Sequence, residues 1–193
     1  MFLRNRAFLA VALLGALAAC GGAAARADVI VSNQSVTPNG SNFTWTYDVN
    51  LTNDETVQIN SFFTIYDFRG FVPGTDFGPS GWIFSSANLG KTPSRVTPTD
   101  NPHVPNLTWT YSGSTIGPGP VDLGQFGADS TLSSSTLGEF ATEAIKYAPG
   151  KPGNGTPVDN IGSVGVPSVP EVDSLVLLLP GLVPLGMLLR RRA

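Results

Sequence analysis

The chain has 193 residues, a formal net charge of −3 and 13% charged residues, half the ~25% usual for soluble proteins. That length suits one domain with a real core. One cysteine excludes an internal disulfide framework and a Cys-rich zinc site, one histidine excludes His-pair metal centres, and a pI near 5.0 argues against nucleic-acid binding, so no cofactor is expected.

Arg4 and Arg6 precede an uncharged Ala/Leu-rich run from Ala7 to Ala19, the layout of a secretory signal peptide. Ala25-Arg26-Ala27 is an A-x-A cleavage pattern, which assigns residues 1–27 to a leader removed by signal peptidase and starts the mature chain at Asp28. Leu17-Ala18-Ala19-Cys20-Gly21 also fits a lipobox with Cys20 as the lipidated residue. Both routes imply export. The strand-like segment directly after Ala27 favours the first.

Residues 28–147 read as an all-β body. From Asn42 the chain alternates for ten residues, with Phe43, Trp45, Tyr47, Val49 and Leu51 on one face, which predicts a half-buried antiparallel strand. Thr52-Asn-Asp-Glu55 supplies turn chemistry, and a second strand region over Val57–Phe68 predicts a hairpin with the first. Both faces of that region are apolar near its end, as expected of a central strand covered on both sides or of a bulge near Ser61. Six prolines between residues 69 and 105 exclude long regular elements there, with Trp82-Ile-Phe84 as a short strand. Asn106-Leu-Thr-Trp-Thr-Tyr111 repeats Asn42-Phe-Thr-Trp-Thr-Tyr47 in five of six positions. That repeat reads as one way of writing a β-strand used twice, or as paired aromatic platforms for a sugar, with Trp45, Trp82 and Trp109 as the carbohydrate-contacting residues. Val121–Phe126 reads as a strand, and Leu137–Tyr147 as a strand or a helix. About seven short strands between Gly/Pro turns predict an antiparallel β-sandwich.

Residues 148–169, a Pro/Gly/Asn/Val mixture, read as a spacer. Leu175–Leu189 then runs fifteen residues without a charge, and Arg190-Arg191-Arg192 follow. As a helix this run spans about 22 Å, short of the ~30 Å hydrocarbon core, and its prolines weaken it further. Arginine flanks stay cytoplasmic, so the tail reads as a transient membrane stop with the body outside.

Val169-Pro170-Glu171, a short polar step, a Leu-rich segment and an Arg cluster together resemble the PEP-CTERM sorting signal of Gram-negative bacteria. The third motif position, proline in that family, is Val172 here. The resemblance covers about 25 residues, assigned as the sorting tail 170–193. It implies processing near Pro170 by an exosortase-type membrane transpeptidase, transient inner-membrane anchoring, and a final place in the cell envelope or outside the cell, in the company of exopolysaccharide. Phe62–Phe68 and Gly70–Gly74 also resemble uncharacterised bodies attached to such signals.

Catalytic motifs are scarce. His103 sits in a Pro-flanked loop, no Ser lies in a Gly-x-Ser-x-Gly elbow, and no Asp has calcium-loop spacing. The Asn-x-Ser/Thr triplets are a by-product of 34 Ser and Thr residues. The body is expected to be a non-catalytic surface or matrix protein in contact with polysaccharide. The alternative is a secreted polysaccharide hydrolase whose two carboxylates meet only in the fold. Between residues 28 and 169 stand twelve acids and five bases, a charge of −7.

Overall fold

The computed structural model describes residues 28–169, which form nine strands and no helix. They are β1 (Val29–Asn39), β2 (Asn42–Leu51), β3 (Glu55–Thr56), β4 (Phe62–Ile65), β5 (Trp82–Ala87), β6 (Asn106–Tyr111), β7 (Val121–Ser130), β8 (Ser134–Lys146) and β9 (Pro157–Ser168). A three-stranded sheet in the order β1-β2-β7 packs on a six-stranded sheet. In the larger sheet β8 pairs with β3, β4 and β9, β4 pairs with β6, and β6 pairs with β5, all antiparallel. The expected all-β sandwich is the observed fold.

Period-2 alternation places the core. On β2, Trp45, Tyr47, Val49 and Leu51 are buried while their neighbours are half-exposed, as alternating Cβ directions require. On the opposing sheet Phe63, Ile65, Leu107, Trp109 and Phe140 point into the same core. Phe63 stacks on Trp109 at 5.1 Å between ring centroids and meets Phe126 of the smaller sheet edge-on at 4.9 Å. These are the offset and T-shaped contacts that ring quadrupoles favour.

The predicted hairpin between the 42–51 and 57–68 regions does not form. β2 pairs instead with β1, through a two-residue Gly40-Ser41 turn, and with β7, while the chain crosses to the other sheet after Leu51. Gly40 adopts φ +62°, which tight hairpin turns demand. Both segments carry inward apolar side chains, so placing them on opposite walls buries one against the other.

β4 is the expected central strand covered on both sides: all four residues are buried. Of Leu137–Tyr147, all but Tyr147 resolves as strand, within β8.

The spacer assignment for 148–169 is corrected. Residues 148–156 form the connection, but Pro157–Ser168 is β9, paired with β8 in unbroken register from Ser134↔Ser168 to Ile145↔Pro157. Its glycines serve close packing. A Cβ on Gly162 would stand 2.5 Å from the Phe140 ring, and one on Gly165 would stand 2.2 Å from Gln34 Oε1. Val164 and Val166 enter the core.

A chain ending at Thr156 is therefore expected to lose cooperative unfolding, whereas one ending at Val169 keeps it. Circular dichroism under a urea gradient checks this, and a cooperative transition in the shorter chain would contradict the role of β9.

Candidate functional site

Trp45 and Trp109 have no surface to offer a sugar platform. Trp45 and Trp109 are 0% and 1% exposed, because the inward phase of their alternating strands carries them into the core. Trp82 is half-buried against the rings of Phe63, Tyr111 and Phe126. The repeated Asn-x-Thr-Trp-Thr-Tyr segment is thus used twice for one structural purpose, once in each sheet.

The outer face of the six-stranded sheet carries most of the polar organisation. Residues 88–105 cross it as a strap. Lys91 Nζ lies 3.8 Å from the centroid of the Phe62 ring, and the Lys91 carbonyl accepts from Thr64 Oγ1 and Tyr66 Oη at 2.7 and 3.0 Å. Arg95 pairs with Asp159 of β9 at 3.2 Å. Asp67 accepts the Asn101 amide at 3.0 Å, Asp100 accepts Gly90 N and Asn106 Nδ2 at 3.2 and 2.9 Å, and Glu139 accepts the Thr99 amide. The buried Asn106 side chain also receives Asp67 N at 2.7 Å and donates to the Asn88 carbonyl at 3.2 Å. Burial raises the carboxyls of Asp67 and Glu143 above the ordinary range. Asp67, Asp100, Glu139 and Asp159 fasten the loop by accepting from its backbone N–H groups.

A second group lies at the end of the sandwich where β1 begins. Asp28 is fully buried: its Oδ1 accepts Val29 N and Thr142 Oγ1, each at 2.7 Å, its backbone N donates to Thr52 Oγ1, and its carbonyl accepts Thr52 N at 2.9 Å. Glu55 on β3 is 1% exposed. Asp28 Oδ2 and Glu55 Oε2 have no hydrogen-bond partner among the described residues. Desolvation, then the Glu55 charge, outweigh the Thr142 bond and push the Asp28 carboxyl up to about 8. Desolvation and Asp54 push Glu55 up to about 7 against the pull of Lys146. Glu55 looked like turn chemistry in the sequence; only the crossover between sheets turns it inward.

The last strand ends at the other pole. Ser168 pairs with Ser134, whereas Asp28 is bonded to Thr142 of the same strand, about 26 Å away at ~3.3 Å per residue. Val169 is exposed there, beside a cleft of about 260 Å³ that also borders Arg69, His103 and Leu132. His103 is solvent-exposed, and the described residues that line the cleft carry no carboxylate, hydroxyl or thiol side chain.

The leader assignments (Cys20, Ala25, Ala27) and the tail assignments (Pro170, Glu171, Val172, the 175–189 run and Arg190, Arg191, Arg192) lie outside the described residues. Comparison of the chain with family models, curated proteins and solved structures finds no match.

Asn106→Ala would strand the Asp67 amide and the Asp100 carboxylate together, costing about 1–3 kcal/mol. Limited proteolysis of the variant should cut within 88–105 before any other segment, and first cleavage elsewhere would contradict the fastening role. The buried pair makes a separate prediction, for a chain that retains residues ahead of Asp28. With both carboxyls raised in the fold, their contribution to stability is complete below pH ~4 and is lost as pH rises through about 7 and 8. Glu55→Gln should flatten that loss, read as urea midpoints at pH 5 and pH 8. Equal losses in the two chains would contradict it.

Proposed function

We propose that the chain is an exported, non-catalytic structural protein of the cell envelope or extracellular matrix, delivered through its leader and sorted through its PEP-CTERM-like tail. The observation that carries this reading is the three-part tail: Pro170-Glu171, the uncharged Leu175–Leu189 run and the triple arginine. The partners it implies are signal peptidase, an exosortase-type transpeptidase and, transiently, the inner membrane.

Two features of the body support the reading. β9 ends at Ser168 and Val169 is exposed, so cutting near Pro170 leaves every strand in place. Acids that could have formed a catalytic pair on the outer face are committed to holding the 88–105 strap. With Trp45 and Trp109 in the core, contact with exopolysaccharide falls to surface hydroxyl and amide groups instead of aromatic platforms. An acidic surface is compatible with that role and repels polyanions.

Intact-mass and terminal analysis of the protein from its native host should give a chain that begins at Asp28 and stops near Pro170. Recovery of residues 175–193 on extracellular protein would overturn the sorting route, and a lipidated Cys20 would move the start without removing export.

A further inference from the structure

Leader removal does more to this fold than shorten it. Hydrolysis of the Ala27–Asp28 bond adds one water, leaving a carboxylate on Ala27 and an ammonium on Asp28. The Asp28 nitrogen is already positioned, since it donates to Thr52 Oγ1, three residues before the buried Glu55, and is carried by the same residue as the buried Asp28 carboxyl. As an amide it has one hydrogen, and Thr52 takes it. As an ammonium it has three, and the two extra donors equal in number the two acceptors left without a partner among the described residues, Asp28 Oδ2 and Glu55 Oε2.

We propose that the Asp28 pole is a receptor for the chain's own new N-terminus, in which the α-ammonium released by processing pairs with the buried Asp28 and Glu55 carboxylates and completes the fold. This rests on the export reading for its cleavage point. The need for a cation comes from the surroundings. The charged groups that face the pair are Asp54, Asp159 and Lys146, and Lys146 is exposed to solvent on β8. Two buried carboxyls among further acids thus have one peripheral cation. A buried charge is tolerated when it is paired and costly when it is not. The ammonium converts a site that favours protonated carboxyls into one that holds them ionised at neutral pH.

The test compares two products of the full-length gene that differ by one residue. One begins at Asp28, and the other carries a single Ala inserted between Ala27 and Asp28, so that its ammonium lies one residue away. Both are confirmed by intact mass and prepared with and without Glu55→Gln. In the Asp28 product the Glu55 carboxyl, followed by carbon-detected NMR titration, is expected to titrate at least one pH unit lower than in the extended product. Its urea midpoint should also fall less between pH 5 and pH 7.5. The midpoint difference should shrink in the Glu55→Gln pair, leaving only the share of the Asp28 carboxylate. Identical titration curves, or a midpoint difference undiminished by Glu55→Gln, would overturn the pairing. If the full-length gene gives a product that starts elsewhere, the same comparison on chains released at Asp28 from a fusion separates the two claims. A lowered Glu55 titration there with a different natural start would overturn processing as the source of the ammonium, while an unchanged titration would overturn the pairing itself.

Discussion

The six-stranded sheet contains a strand buried on both faces, and a three-stranded partner can cover only one side of it. That mismatch governs much of the molecule. Phe63 and Ile65 of β4 face the shared core, where the stack of Phe63 on Trp109 and its edge contact with Phe126 lock the two sheets together. Phe62 and Thr64 face the other way and would be wet without the 88–105 strap. Burying backbone polar groups in such a strap is costly unless each is bonded, so it draws in acceptors: Asp67, Asp100, Glu139 and Asp159. Four of the twelve acids between residues 28 and 169 serve this covering layer.

The smaller sheet shows a related economy at its edge. β7 would otherwise offer a free row of N–H and C=O groups beyond β2, but Phe71 and Phe77 bridge to Ser130 and Gly127 and occupy it. The long Pro-rich region between β4 and β6 therefore does two tasks, one piece closing an edge and the other roofing a face. Neither task needs regular structure, and the prolines hold the connection extended while they do it.

How much of this was legible follows from what periodicity encodes. The alternation of Phe43 to Leu51 told inside from outside correctly, and the doubly apolar character of residues 62–68 told that a second cover was needed. Alternation does not say which sheet a strand joins, so the turn chemistry at Thr52–Glu55 pointed to a hairpin where the chain crosses between walls. Nor does it separate a tryptophan that packs from one that binds, and Trp45 and Trp109 pack. β9 was hidden because Gly162 and Gly165 resemble linker glycines until the Phe140 ring and the Gln34 side chain are seen beside them. The Asp28–Glu55 pair left no sequence signal at all: two acids 27 residues apart, one after a leader and one in a turn, share an environment only through tertiary structure.

The placement of Asp28 and Val169 at opposite poles has a consequence for how the body would stand at a membrane. Held by its tail, the molecule is a post about one strand tall, with the Val169 pole against the bilayer and the Asp28 pole presented to the medium. Held instead by a lipid on Cys20, the same post is inverted, and the Arg69–His103 cleft becomes the exposed summit. Were either anchor used, it would decide which face of an acidic protein its surroundings meet.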